Sequence, residues 1–302
     1  MAEDQSYNGD IWTQEASILL SEYKWEQIGD QNMDVPGADK KDHGLDAIFK
    51  FEDPHCNNNQ GILFEAKRYA TTSFTQTHLQ NWINTIDKKI LSLRRSKDFL
   101  DMYPNLGDCK INSGLIAIWF HDYENFFSYR NQFEKYLKGI SVSNRKRMQG
   151  YNKIFVITND TILRLCSVIN TIRKISLNNS RVLFYYPTLD FHSAPIIRKE
   201  SLSLNYFFSK FILCEEYEND NLKNRIVFYF GNRDMQSIIL LKNALLKLSY
   251  LDTLIPLKIY FYKEDTSNFR KIAPEVKKLF NCISLEMNEM THLAGLPDWT
   301  KK

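Results

Sequence analysis

The chain has 302 residues, of which 43% are hydrophobic and 25% charged, a balance that is typical of globular proteins and excludes disorder as the main state. Its 39 basic and 36 acidic residues leave a net charge of only +3, so nucleic-acid contacts have to come from local clusters of cations. The five cysteines are widely spaced and predict reduced thiols in a cytoplasmic protein. The polar, acidic start and the absence of a long apolar run predict a soluble protein without a signal peptide or membrane partner.

The first third of the chain predicts a helix, a β-hairpin and a second, longer helix. Apolar residues recur at helical spacing in both helices, and they alternate with polar residues in the strands. The predicted elements are, in chain order, a helix over 11–23 with Asp10 as its candidate N-cap, a polar loop over 29–44, hairpin strands over 45–51 and 61–69, and a helix over 75–95.

Strands and helices alternate in the rest of the chain, which predicts an α/β protein whose sheet is partly parallel. An acidic stretch over 215–224 is predicted to be a linker, and a strand–helix–strand–helix pattern follows it. We therefore expect two domains, a first one over residues 1–200 and a smaller C-terminal α/β unit over residues 201–302.

Three ionisable residues fall on one face of the predicted hairpin. Glu65 and Lys67 are two apart on the second strand, and Asp46 lies on the matching side of the first. Two neighbouring carboxylates repel each other unless a cation compensates, and Mg²⁺ prefers carboxylate oxygens and water. An ammonium group beside the metal orients a water molecule and stabilises charge that builds up on phosphorus. The pattern therefore predicts hydrolysis of phosphodiester bonds.

The order of these motifs resembles the PD-(D/E)xK nuclease superfamily, which has the restriction-endonuclease-like fold. The resemblance is carried by Glu15 on the first helix, Gly44-Leu45-Asp46 on the first strand and Glu65-Ala66-Lys67 on the second. Leu45 stands where the name of the superfamily has proline. Glu22 lies on nearly the same face of the first helix as Glu15 and is the alternative acid there.

The resemblance implies an α/β fold with a mixed sheet flanked by helices, and a metal-dependent endonuclease activity. It implies that Asp46, Glu65 and the main-chain carbonyl of Ala66 hold Mg²⁺, for which Mn²⁺ can substitute. Lys67 would orient the attacking water, and Glu15 would supply a further acid. The substrate implied is DNA, which we expect to be double-stranded, and the biological role implied is prokaryotic defence against foreign DNA.

Basic and amide side chains near these motifs are the candidate contacts with nucleic acid. A cation close to a phosphate adds affinity that depends on salt and not on sequence, but each cluster is equally well explained as a solvated charged face. Two further basic pairs, Lys88-Lys89 and Arg94-Arg95, fall on the predicted long helix. The candidate contacts are Lys40, Lys41, Arg68, Gln80, Arg145, Lys146 and Arg147.

Two other interpretations remain open at this stage. The chain could be a catalytically silent subunit that keeps the nuclease fold as a protein-interaction scaffold in a defence complex, although an intact set of two acids and a lysine favours catalysis. It could also be a nucleotide-sensing α/β protein in which the hairpin pattern is a coincidence. The apolar closing stretch, residues 287–302, predicts docking against the first domain or a partner subunit, and packing onto the chain's own core is the alternative. The expected protein partner is another subunit or, in a homo-oligomer, a second copy of the chain.

Overall fold

The structure is a computed structural model, and it describes residues 2–56, 59–141, 151–177, 179–187, 196–262, 267–281 and 283–301. The basic candidates Arg145, Lys146 and Arg147 lie outside these residues. The chain divides into two compact units, of which the first contains Met1–Leu163 with Ala294–Lys302 and the second contains Arg164–Leu293.

The first unit is built on a five-stranded mixed sheet. Its elements are, in chain order, α1 (Ala2–Glu22), β1 (Glu26–Gln27), β2 (Met33–Pro36), β3 (Asp42–Leu45), β4 (Ala47–Phe51), β5 (Gln60–Tyr69), α2 (Gln76–Leu93), α3 (Lys97–Met102), β6 (Lys110–Phe120), α4 (Tyr123–Lys138), β7 (Lys153–Ile157) and α5 (Asn159–Ser176), in which the division between the units falls. The sheet has the order β1-β4-β5-β6-β7, with antiparallel pairs as far as β5 and parallel pairs beyond it.

Helices cover both faces of this sheet. On one face, the buried stripe of α2 packs against Leu63, Ile116 and Ile118. On the other face, the indole of Trp12 in α1 donates a hydrogen bond of 3.0 Å to the carbonyl of Ala117, a residue that alternates with that set along β6. The predicted α/β fold, a mixed sheet flanked by helices, is confirmed.

The start of the chain differs from the sequence prediction in two ways. Helix α1 begins at Ala2, so Asp10 is not an N-cap; it lies within the helix, and its carboxylate accepts a hydrogen bond of 2.8 Å from Asn32. The predicted polar loop contains the hairpin of β2 and β3. Val35 and Leu45 give this hairpin its buried side, but two isolated apolar residues are too few to mark strands in a polar stretch.

Close packing of α2 on β6 predicts a large effect for one glycine. A Cβ added at Gly114 would lie 2.5 Å from Cδ1 of Ile86, so we expect Gly114→Ala to lower the free energy of unfolding by about 1–3 kcal/mol through overpacking. The control is Gly9→Ala within α1, where an added Cβ meets nothing within 4 Å. It is expected to raise that free energy by roughly 0.5–1 kcal/mol because alanine favours the helix. Urea unfolding measures both, and equal losses would contradict the packing argument.

The second unit contains a six-stranded sheet. Its elements are β8 (Ser180–Tyr186), β9 (Ile197–Lys199), β10 (Phe211–Glu218), β11 (Asn221–Tyr229), α6 (Met235–Lys247), β12 (Leu257–Phe261), α7 (Ser267–Leu279) and β13 (Leu285–Glu289). The sheet order is β13-β12-β11-β10-β8-β9, with parallel pairs from β13 to β11 and antiparallel pairs beyond. Because β8 and β9 pair into this sheet, the division between the units falls at residue 163, earlier than the predicted boundary at 200.

The acidic stretch 215–224 is part of this sheet and is not a linker. It forms the β10–β11 hairpin, whose turn places Asn219 and Asp220 at φ angles of 48° and 61°, as a two-residue hairpin turn requires. Glu215 and Glu216 are buried within the hairpin and paired with cations. The prediction of a linker was wrong because the charges are neutralised inside the unit instead of being solvated.

The last residues of the chain pack in the first unit. A short 3-10 helix, Asp298–Thr300, contacts α1, and Thr300 is fully buried. The apolar closing stretch thus docks, from residue 294 onward, on its own chain. Among the described residues, no helix has both the length and the apolar composition that crossing a membrane requires.

Candidate active site

The register of the β4–β5 hairpin places the predicted site residues at one end of that strand pair. Ala47 lies opposite Phe64 at the start of β4, and Asp46 occupies the bend just before it, beside Glu65. Glu65 and Lys67 alternate with Phe64 and therefore point to the opposite face of β5, the one that α2 covers.

Asp46 and Glu65 share the ammonium group of Lys67. Its Nζ lies 2.7 Å from Oε2 of Glu65 and 3.1 Å from Oδ2 of Asp46. These two oxygens are therefore within about 6 Å of each other, close enough for one hard cation to contact both carboxylates. The main-chain N–H of Ala66 also donates to Oδ2 of Asp46, at 2.6 Å. The structure thus brings together four predicted positions, Asp46, Glu65, Ala66 and Lys67.

A second lysine, on α2, completes the surroundings of Glu65. Lys89 Nζ lies 2.5 Å from Oε1 of Glu65 and donates to the carbonyl of Gly44 at the same distance. The sequence analysis placed Lys89 only in a basic pair on a helix surface. Its spacing to the buried residues Ile86 and Leu93, at i−3 and i+4, puts it on the helix face that meets the sheet. That spacing is the signal that could have identified it.

Burial and pairing set the protonation of this cluster. Burial raises the pKa of Asp46, and the charge of Glu65 adds to the effect, while Lys67 opposes it. Burial alone would raise the pKa of Glu65 too, but the ammonium groups of Lys67 and Lys89 outweigh it and hold that pKa below its ordinary value. Burial would lower the pKa of Lys67, but Glu65 and Asp46 more than compensate and raise it. The cluster therefore favours a charged lysine beside an ionised Glu65.

Glu15 lies on the other side of the sheet. It belongs to α1, which covers the face that carries Ala117 and Trp119. Its half-buried carboxyl has a raised pKa because of burial, which the charges of Arg68 and Lys301 partly offset. Among the contacts of the described residues, none joins Glu15 to the acids or the lysine of the hairpin.

The candidate nucleic-acid contacts have different surroundings. Lys40 and Lys41 are exposed in the turn between β2 and β3. Arg68 is half-buried on the α1 face of β5, near Glu15. The amide of Gln80 is engaged in the fold, because it donates to the carbonyl of Ser141 and accepts from its N–H, both at 2.9 Å.

The turn that leads to Asp46 is fixed to α2 through Asp39. Oδ1 of Asp39 accepts a hydrogen bond of 2.6 Å from the hydroxyl of Ser92 and lies 2.9 Å from Nε2 of His43. The hydrogen bonds from Ser92 and His43 lower the pKa of Asp39 to about 2. The ionised carboxylate thus stabilises the folded turn.

We expect Asp39→Asn to destabilise the protein near neutral pH and to lose this effect in acid. The pKa of Asp39 is lower in the folded than in the unfolded protein, so the carboxylate stabilises above about pH 4 and this contribution disappears as the pH falls toward about 2. Urea unfolding of both proteins from about pH 6 to about pH 3 measures the difference. Asp42→Asn, an exposed acid on β3 with no described side-chain partner, is the control. A difference that stays constant over this range would contradict the assignment.

The donor set of the hairpin fits a hard divalent cation. It offers two carboxylates and a main-chain carbonyl at Ala66, all oxygen ligands, and within the described contacts Oδ1 of Asp46 accepts no hydrogen bond. No group of three or more His, Cys, Asp or Glu side chains in the described part of the chain could hold a metal ion. A cation here would therefore complete its coordination with water, as Mg²⁺ commonly does.

A mixed sheet with two acids and a lysine on its central hairpin defines a nuclease fold of the PD-(D/E)xK class. A family model described as the GAPS4 protein PD-(D/E)XK nuclease domain matches residues 1–161, more than half of the chain. The chain belongs to this family, and the resemblance seen in the sequence is confirmed. Comparisons with curated proteins and with solved structures found no match.

Proposed function

We propose that the first unit is a Mg²⁺-dependent endonuclease that hydrolyses phosphodiester bonds of double-stranded DNA. The observation that supports it best is the shared ammonium group, because Lys67 lies within 3.1 Å of both acids at a single point of the sheet. A hard cation and a lysine beside it supply the charge that stabilises a pentavalent phosphoryl group.

In this proposal Asp46, Glu65 and the carbonyl of Ala66 would hold the metal, whose chemistry when bound would be to polarise a phosphoryl oxygen and to lower the pKa of a water molecule. Lys67 orients the attacking water and stabilises the developing negative charge. Its ammonium group lies beside both acids and acts as an electrostatic group in this proposal. Glu15 lies on the α1 side of the sheet, near Arg68, and is given no part in holding the metal in this proposal.

Phosphate contacts are proposed for the exposed cations near this end of the sheet. Lys40 and Lys41 lie in the turn before β3, where they are free to meet a DNA backbone. Arg145, Lys146 and Arg147 are proposed as a second contact on the basis of the sequence. Cations of this kind contribute affinity that falls with salt and does not depend on the base sequence.

We further propose that the nuclease acts in prokaryotic defence against foreign DNA. This rests on the membership of the chain in the GAPS4 family, which is associated with defence. The second unit, with its separate sheet, is proposed to bind a protein partner or a second copy of the chain.

The experiment is a cleavage assay on supercoiled plasmid and on a duplex RNA and a single-stranded RNA of equal length. Each substrate is incubated with Mg²⁺, with Mn²⁺ and with EDTA. Plasmid cleavage is expected with either metal and none with EDTA. Cleavage that is confined to RNA would overturn the DNA assignment, and cleavage that persists in EDTA would overturn the metal dependence.

A further inference from the structure

Both carboxylate oxygens of Glu65 are occupied by ammonium groups from different elements. Lys67, on the same strand, contacts Oε2 at 2.7 Å, and Lys89, on α2, contacts Oε1 at 2.5 Å. The side chain of Glu65 is only 9% exposed and that of Lys89 only 13%, so water contributes little to their charge balance. Glu65 is therefore fully neutralised by the protein itself.

The cluster contains as many lysines as acids before any metal binds. The carboxylates of Asp46 and Glu65 face the ammonium groups of Lys67 and Lys89. A divalent cation that approaches either carboxylate adds two charges beside two ammonium groups. Mg²⁺ binds carboxylate oxygens at about 2.1 Å, and an ammonium nitrogen 2.5 Å from Oε1 occupies that approach.

Lys89 is held by fewer acids than Lys67. Lys67 is held by both acids, whereas Lys89 is held by one acid and by the carbonyl of Gly44. Its ammonium group can therefore release Oε1 of Glu65 and keep the Gly44 carbonyl as an acceptor. This exchange needs only rotation of a long, unbranched side chain, with no movement of a helix or strand.

We infer that Lys89 supplies a positive charge at Glu65 while no metal is bound, and that its ammonium group leaves Oε1 when a divalent cation binds. The inference rests on the proposed metal site at Asp46 and Glu65. It implies that Lys89, which lies on α2 and not on the motif strands, lowers the affinity of the site for a divalent cation. Metal occupancy is then set by competition between the cation and one lysine.

The test is equilibrium binding of Mn²⁺ to the full chain, measured near neutral pH from the electron paramagnetic resonance signal of the free ion. Lys89→Met removes the competing charge, and Lys89→Gln removes the charge while keeping a hydrogen-bonding group, so that one of the two remains informative if the other does not fold. A cation beside a carboxylate lowers its proton affinity by about one to three powers of ten. The same repulsion acts on a metal ion, so both variants are expected to bind Mn²⁺ on the order of tenfold more tightly. Lys88→Met, an exposed neighbour on the same helix, is expected to bind it as the unchanged protein does.

Mn²⁺ binding by Glu65→Gln shows whether a negative result contradicts only the inference about Lys89 or the proposed metal site as well. Suppose that Glu65→Gln loses Mn²⁺ binding, while the Lys89 variants bind Mn²⁺ as tightly as the unchanged protein or more weakly. Lys89 then positions the carboxylate and does not compete with the cation, and the proposed metal site is retained. If Glu65→Gln binds Mn²⁺ as the unchanged protein does, the proposed metal site itself is wrong and the inference falls with it. Tighter binding in both Lys89 variants, with loss in Glu65→Gln, supports both.

Discussion

Glu65→Gln and Lys67→Met are each expected to reduce Mg²⁺-dependent DNA cleavage by about a thousandfold or more, within the range found when an essential electrostatic or acid–base group is removed. Glu65→Gln keeps the shape of a metal ligand and removes its charge. Lys67→Met keeps the length of the side chain and removes the ammonium group that both acids share. Plasmid cleavage rates at saturating Mg²⁺, with circular dichroism to verify the fold, measure the effect.

Lys50→Met is the matched control for the lysine. Lys50 lies on β4 of the same sheet and forms a partly exposed ion pair of 3.2 Å with Asp108. Such pairs contribute roughly 0–1 kcal/mol to stability, so this variant is expected to keep its cleavage rate. A folded Glu65→Gln protein with full activity would remove the catalytic assignment of the hairpin.

Glu215→Ala is expected to lower the free energy of unfolding by about 2–4 kcal/mol, somewhat below the usual cost of breaking a fully buried pair because Arg198 is partly exposed. Glu215 is completely buried on β10 and pairs with Arg198, and it accepts a hydrogen bond of 2.7 Å from the hydroxyl of Tyr217. Arg225, which is 11% exposed, lies 3.8 Å from the same carboxylate and would lose its counter-ion. Denaturant unfolding followed by circular dichroism measures the loss.

Glu218→Ala, on the same strand, is the control for this prediction. Its carboxylate pairs with Lys223 at 3.1 Å, with both side chains at least 40% exposed. An exposed pair of this kind contributes roughly 0–1 kcal/mol, so the two glutamates are expected to differ clearly. Equal losses would show that burial of Glu215 does not determine its contribution.

The core of the candidate site could be predicted because it depends on strand geometry alone. Alternation along a strand fixes the shared face of Glu65 and Lys67, and hairpin pairing brings Asp46 to the same face. No information about distant parts of the chain is needed for this step. The predicted range of β7, residues 153–157, also agrees with the structure at both ends.

The parts that could not be predicted depend on contacts between distant segments. The spacing of Lys89 to Ile86 and Leu93 indicates the face of α2 that meets the sheet, but its contact with Glu65 depends on how α2 packs over β5. Glu15 was expected near the acids, but the side of the sheet on which α1 lies is a tertiary property. The sequence predicts a linker for the acids of β10 because the cations that neutralise them come from other strands. These are Arg198 and Arg225 for Glu215, and Lys258 for Glu216.

Residues 294–301 belong to the first unit, and this determines how the two units can be separated experimentally. The nuclease unit is discontinuous in sequence, and the second unit is inserted between two of its segments. Truncation near residue 200 would remove the short 3-10 helix that contacts α1, together with the buried Thr300, and would leave β8 without its partner β10. Isolating the nuclease therefore calls for internal excision of the second unit, with a flexible linker rejoining the flanking segments, instead of a shortened chain.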